Sequence, residues 1–522
     1  MDADSGDSSQ NGCESAAKRF KTHHDASEGN GIAATVCGVH IDSADAELRE
    51  FVAWCLSEPA PCSINPKVYM GRVGSCARYG MSAAEDIADG EELFRVPRAK
   101  TLQWENIPAL LSVRPEMEKM ALESRWAPTI VAILLEATKA PRESLWYPYL
   151  RMFFHQSNLD VPLFWDRATQ QRLLGTSTVP QRITGDRQRM ETDVDKHIVP
   201  LLRKLHRFQE NELESLRETV VKISGFIMAY SFTRPDSEDS ASTVDKENSD
   251  SEDEDREASQ VGNALMEVPI MVPIADFLNA SVRRNNARLH WDDDGEVLKM
   301  LAVKNIKAGE EIFNTYGEIS SSELLYLYGY AEDDEENPFE EVFIPSSLLR
   351  DTLTDLLQQN PPRLPLSPAQ LDKRWSYLEK KELVGEKYPI VIGKKEILTD
   401  MEVSRIMEVL TADAQAFADM DAAGEDEEEE ADFSREQYRL ENLSKLDPVA
   451  KDIFARVIQK KLNEYPRTLP EERKNIEHIQ ELLSRQKSAG NVDADTQRSL
   501  FIAFVHRAEL VLLNEYLRCL NS

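Results

Sequence analysis

The order of apolar and polar positions changes character several times along the 522 residues, and each change marks a unit. Residues 1 to about 45 show no periodicity and are rich in Ser, Asp, Gly and Asn, which predicts a disordered tail. From Leu48 apolar positions recur at helical spacing into Trp54. The stretch KVYMGRVGSCARYGMSAAEDIADGEELFRVP then breaks into short apolar runs divided by glycines and by Asp89-Gly90, the mark of strands joined by tight turns. Beyond Pro97, segments such as WAPTIVAILLEATKA, HIVPLLRKLHRFQENELESLRETV and VKISGFIMAYSF read as helices, separated by loops at Pro141, Pro148 and Pro162. Strand character returns at VPIMVPIADFLNA and continues through EVLKMLAVKNIKAGEEIFNTYG. From about residue 345 apolar residues recur at i, i+3, i+4, as in KDIFARVIQKKLNEY and LFIAFVHRAELVLLNEYL. The pattern predicts an α+β protein: a β-rich unit over 46–332, divided by a helical insertion at about 104–235, then an all-α unit over 345–522. No internal repeat is visible.

Composition narrows the function. Hydrophobic residues make up 41% of the chain, enough to build cores along most of it. The net charge is -32, from 61 Lys and Arg against 93 Asp and Glu. Such a surface repels phosphate backbones, so direct nucleic-acid binding is not expected and a basic peptide or protein segment is the more natural partner. The charge is uneven: residues 236–258 hold eleven Asp or Glu against two basic residues, which predicts a solvated acidic loop over about 236–264. A second acidic run at 425–430 interrupts the helical unit. Cysteines at 13, 37, 55, 62, 76 and 519 form no CxxC pair, so neither a zinc site nor a disulfide framework is expected, and a reducing compartment fits. The N-terminal stretch lacks the apolar core of a secretory signal, and the most apolar run, around 130–135, is too short for a membrane span. The expectation is a soluble intracellular protein with no membrane or metal. The basic cluster Lys18, Arg19, Lys21 could serve as a nuclear import signal, although three charges in a disordered tail are more often just that.

Two β-rich stretches about 170 residues apart must meet if they form one site. The phrase from Ile87 to Phe94 returns from Ile306 to Phe313, and alone it says only strand–turn–strand. The ordered set RYGMSAAEDIADGEELFRVP, SLWYPYL, PLFW, IMAYSF, VPIADFLN, IFNTYG and YLYGYA is far more specific. In it the sequence resembles the SET-domain methyltransferases, in the branch with a helical insertion and a helical C-terminal domain that includes the Rubisco large-subunit lysine methyltransferase. The resemblance covers nearly the whole folded chain. It implies a SET domain over 46–332, a Rubisco-methyltransferase-type substrate-binding domain over 345–522, S-adenosyl-L-methionine as cofactor, and transfer of its methyl to a lysine of a nuclear protein.

The resemblance also implies roles. Tyr316, in IFNTYG, would orient the target amine through its hydroxyl; taken alone, a buried aromatic ahead of the Gly317 turn would look the same. The turn from Ala77 to Gly80 matches the family's cofactor loop, where a glycine permits close backbone approach. Gly71, Gly74 and Gly80 lack both the spacing and the Lys-Ser/Thr of a phosphate loop. Asn279 matches an asparagine that grips the cofactor's amino-acid end, Ala280 would contribute backbone contacts to the adenine, Tyr328 matches an aromatic near the adenine, and Tyr230 lies on the cofactor side. Ser231, Thr233 and Trp126 fall where the substrate peptide is touched; Trp126 is equally readable as a packing tryptophan. The chain departs from the family at Ala280, where the usual residue is histidine. Two other functions remain open: methylation of a histidine, which a sister branch performs, and a weakened enzyme serving as a peptide-binding scaffold.

Overall fold

The computed structural model of the protein describes residues 33–36, 38–42, 45–73, 79–155, 159–176, 179–233, 268–292, 294–359, 366–422 and 435–522. Ala77 and the acidic loop at 236–264 lie outside the described residues. Ordered structure begins earlier than the sequence pattern predicts. Within the expected tail, β1 (Ala33–Val36) and β2 (Val39–Asp42) pair antiparallel, with Gly38 turning the chain at φ +89°. In β2, Val39 and Ile41 are buried while His40 and Asp42 are not. Four residues of alternation are too short a signal to separate from a polar tail. The pairing is fixed instead by β4 (Val68–Gly71), which lies parallel to β2 at His40↔Tyr69 and Ile41↔Met70. The helix Ala46–Cys55 follows, its N-terminus capped by Asp45, whose carboxylate accepts from the amides of Glu47 and Leu48. It buries Leu48, Phe51, Val52 and Cys55, one face at i, i+3, i+4, i+7 spacing.

Two small sheets carry the β-rich unit. The first runs β1-β2-β4-β5, with β5 at Gly80–Ala83. The second joins residues from both sides of the insertion in the order β10-β11-β6-β3. Here β3 is Ser63–Ile64, β6 Glu92–Pro97, β10 Ala287–Trp291 and β11 Val297–Ala302. Between them the repeated phrase pairs with itself: Ile87 and Ile306 exchange two backbone hydrogen bonds of 2.9 Å. Each copy turns on a glycine at positive φ, Gly90 at +79° and Gly309 at +87°. Each turn is closed in the same way, Glu91 accepting from the Ala88 amide and Glu310 from the Lys307 amide. A local turn signature thus becomes the seam between two sequence-distant halves.

The insertion is helical, from the buried Ala127–Ala137 to the long Glu210–Tyr230, which ends directly in β7 (Ser231–Phe232). β7 pairs antiparallel with β8 (Ile270–Met271), bringing the chain back to the β-rich unit. One apolar core runs through both sheets and the insertion, from Val39 to Ile312. A second lies inside the C-terminal unit, and a third joins the insertion to that unit through Trp165, Met190, Tyr326, Ile479 and Phe504. Among its described residues the C-terminal unit is helical with one strand pair beside the helices: β13 (Glu341–Ile344) pairs antiparallel with β14 (Ile390–Gly393). An all-α reading missed this because such a pairing is non-local, and a four-residue apolar run gives no periodicity by which to tell a strand from a helix.

Candidate active site

The short strand β9 (Asn279–Ala280) runs parallel to β12 (Phe313–Asn314), in register Phe313↔Asn279 and Asn314↔Ala280. The chain just before β12 is held on its other side by β5: the Ile312 amide donates to the Met81 carbonyl at 2.9 Å, and Glu311 bridges to Ser82. Asn286 locks the arrangement. Its side-chain amide donates to the Glu311 carbonyl at 2.9 Å, and its Oδ1 accepts from the Phe313 amide at 2.8 Å. The segment 309–314 is therefore laced between the two strands that carry Gly80 and Asn279.

This lacing creates a polar corner. Asn279 Nδ2 donates to Glu311 Oε1 at 2.6 Å. A Cβ added at Gly80 would stand 2.9 Å from Asn279 Nδ2, 3.4 Å from Glu311 Oε1 and 1.9 Å from Val73 Cγ2. Only glycine leaves that corner open, so the requirement is for close approach rather than for an unusual backbone angle. Glu311 was not singled out by the sequence. Its signal was the second glutamate of the repeated phrase, whose counterpart Glu92 instead pairs with Arg95 on the surface.

Beyond β12 the chain delivers an aromatic corner. Tyr316, followed by Gly317 at φ +99°, stacks on Tyr328 with ring centroids 3.7 Å apart and planes 6° from parallel. Tyr330 stands edge-on to Tyr316 at 6.4 Å and 66°. Tyr328 comes from the helix Ser321–Tyr328, which stops at Gly329 in the left-handed conformation. A Cβ on Gly329 would also sit 2.2 Å from the Asp160 carbonyl, so this position is fixed by both angle and space. Burial pushes the Tyr328 phenol up to about 12, so it keeps its proton at neutral pH. The Tyr330 hydroxyl donates to the Ala280 carbonyl at 3.0 Å, joining this corner to the strand that carries Asn279. Tyr330 is a second residue the sequence did not single out, because its hydrogen-bond partner lies fifty positions upstream.

The other expected residues lie along the insertion side. Tyr230 is part of an aromatic cluster, 5.8 Å from Phe153 and 5.3 Å from Phe226 between ring centroids. Through Phe153 and Phe277 that cluster reaches Tyr79, next to Gly80. Beneath it the Tyr149 hydroxyl donates to Asp276 Oδ2 at 2.5 Å. Tyr149 is fully buried and Asp276 partly so, and burial drives each of them well above its ordinary range. Asp276 lies three residues before Asn279, in a turn that opens with Ile274 at φ +75°, an uncommon angle for a branched side chain. Ser231 pairs with Met271, and Thr233 follows it, exposed. Trp126 is half-buried at the N-cap of Ala127–Ala137 and packs against both the first and third cores. The structure thus brings together Gly80, Asn279, Ala280, Tyr316 and Tyr328, and sets Tyr230, Ser231 and Thr233 along one adjoining strand end. Among the described residues no group of three or more His, Cys, Asp or Glu could hold a metal ion. No helix among them is long and apolar enough to cross a membrane.

A family model described as SET domain matches residues 78–317. The chain is similar to the N-lysine methyltransferase setd6 of Xenopus laevis, 33% identical over 386 residues, which cover 74% of this chain and 78% of that protein. It is similar also to N-lysine methyltransferase SETD6 of Rattus norvegicus, 30% identical over 470 residues, 89% of each chain. Among solved structures, the SET domain of LSMT bound to MeLysine and AdoHcy superposes with a TM-score of 0.55 at 14% identity, covering 91% of this chain and 92% of that one. Rubisco LSMT bound to AdoMet gives a TM-score of 0.52 at 14% identity, with the same coverage. At that identity the two superpositions speak to the fold.

Proposed function

This chain belongs to the family of SET-domain N-lysine methyltransferases, and on that premise we propose how its own residues carry out the reaction. The enzyme transfers a methyl group from S-adenosylmethionine to the ε-amine of a lysine in a protein substrate. The observation that carries this reading is the segment 311–316, which places a polar corner at one end and an aromatic one at the other. Each corner is completed by residues from a distant part of the chain.

The polar corner fits the amino-acid end of the cofactor. An α-ammonium calls for an anionic acceptor, which Glu311 offers, and an α-carboxylate calls for donors such as the Asn279 amide. The missing side chain at Gly80 leaves room for both beside the backbone. Ala280 contributes backbone here, and Tyr230 closes the insertion side. When bound, S-adenosylmethionine supplies a positively charged, already activated methyl group.

The aromatic corner prepares the amine. A free lysine has a pKa of ~10.4, so only about one in 2,500 is neutral at pH 7. Aromatic walls that exclude water disfavour the ammonium form by desolvation, and a neighbouring cation disfavours it further. Tyr328, expected beside the adenine, stacks on Tyr316; it holds its phenolic proton, and so stands between the cofactor and the amine as a neutral wall rather than acting as a base. Tyr316, stacked on it and thereby held in orientation, directs the amine through its hydroxyl; alignment of the reacting atoms supplies much of the remaining rate. Ser231, Thr233 and Trp126 contact the peptide around the target lysine. The net charge of -32 supports a substrate whose lysine lies in a basic segment, and the family resemblance supports action in the nucleus.

Titration calorimetry with S-adenosylmethionine tests the cofactor half of this reading. Saturable binding at one site is expected. Absence of both heat and thermal stabilisation would overturn it.

A further inference from the structure

The segment that follows Tyr330 is acidic, Glu332-Asp333-Asp334-Glu335-Glu336, and its side chains divide by parity. The even positions face the turn that follows β9. Glu332 accepts from the Val282 amide at 3.0 Å and from the Ser281 hydroxyl at 3.1 Å. Asp334 and Glu336 both accept from Arg283 Nη1 at 3.0 Å. The odd positions face the C-terminal helices Leu469–Ser488 and Ala494–Asn521. Asp333 accepts from Arg507 at 2.6 Å and from Gln480 at 3.1 Å. Glu335 takes Arg473 in a two-pronged pair at 2.6 and 3.1 Å. The chain bends at Asp333 and turns at Glu335 and Glu336, and this short segment grips two units at once.

We propose that Glu332 is a positioning residue for cofactor binding, and that the segment 330–336 is a clasp through which the C-terminal helical unit holds residues 279–282 in place. The proposal rests on Asn279 and Ala280 being cofactor contacts, as argued above. Ser281 is fully buried, so its hydroxyl depends on the protein for partners, and the Glu332 side chain is one of them. Tyr330 holds the Ala280 carbonyl from the same segment, so backbone on both sides of Ser281 is tied to the clasp. The Arg473–Glu335 pair is half-exposed, which makes the grip of the helical unit sensitive to salt.

The test compares wild type with Glu332→Ala, Glu332→Gln and Arg473→Ala in two measurements. Amide exchange of the peptide containing Ser281 and Val282 should quicken in Glu332→Ala and also in Arg473→Ala, although Arg473 touches neither residue. S-adenosylmethionine affinity should fall about tenfold in Glu332→Ala, the scale of losing a hydrogen bond to a charged group. It should recover partly in Glu332→Gln, which retains one acceptor oxygen. Turnover at saturating cofactor should stay within about twofold of wild type, since only uniform binding is lost. Unchanged exchange in Arg473→Ala, or wild-type affinity in Glu332→Ala, overturns the clasp. If Glu332→Ala does not fold, Arg473→Ala and Glu332→Gln decide alone. A wild type that binds no cofactor would defeat the methyltransferase reading, while the exchange measurement still decides the clasp.

Discussion

Tyr316 lies flat against Tyr328, their ring centroids 3.7 Å apart, although the first follows a strand and the second ends a helix. The stack fixes the plane of Tyr316 and leaves its hydroxyl as the one feature that a Phe substitution removes. Tyr316→Phe should therefore keep the fold and the cofactor affinity while lowering turnover on the order of 10²-fold, about 2.7 kcal/mol, as for loss of a well-placed polar contact at the reacting group. Calorimetry and a methyl-transfer assay on one preparation separate the two effects. Wild-type turnover in the variant would remove Tyr316 from the reaction.

Gly80 marks the opposite corner. A Cβ there meets Val73 Cγ2 at 1.9 Å and Asn279 Nδ2 at 2.9 Å, so Gly80→Ala forces one or both aside. Overfilling of this kind costs typically 1–3 kcal/mol, and here the displaced amide is the one held by Glu311. The variant should melt lower than wild type and lose most of its affinity for S-adenosylmethionine. A thermal-shift series with and without cofactor reads both, and an unshifted melting point with intact binding would contradict the close-approach argument.

The pH dependence of stability has an identifiable source in Glu340. It is buried, accepts from the Ser321 amide and hydroxyl at the start of the helix that carries Tyr328, and burial raises its carboxyl to about 7 from an ordinary 4.5. A raised folded-state value means the folded chain binds the proton more tightly than the unfolded one. Its contribution is therefore fully present below about 4.5 and is lost as pH rises through about 7. The interval is worth on the order of 3 kcal/mol at most. Glu340→Gln, uncharged throughout, should flatten this part of the stability curve and exceed wild type above pH 7. Denaturant unfolding across that range checks it; parallel curves for the two proteins would reject the assignment.

What could be read from the sequence was local. Gly80, Asn279 and Tyr316 sit in short phrases whose glycines, turns and aromatics keep their meaning without knowledge of the partner. Glu311 and Tyr330 were silent because their contacts depend on how 309–314 is laced between β5 and β9, a non-local event. The strands β1, β2 and β14 escaped for a related reason: four-residue runs carry too little periodicity, and β2 and β14 each pair with a partner far away in sequence. At Ala280, where the resemblance calls for histidine, the structure shows a buried alanine whose carbonyl is taken by Tyr330.

Together the two corners serve one reaction, methylation of lysine. The decisive measurement is incubation of the protein with isotopically labelled S-adenosylmethionine and nuclear extract, followed by mass spectrometry of the labelled residues. Label is expected on the ε-amine of lysine in one or a few proteins, lost when Tyr316→Phe replaces the wild type. Label on histidine, or none at all from a protein that binds the cofactor, would contradict it.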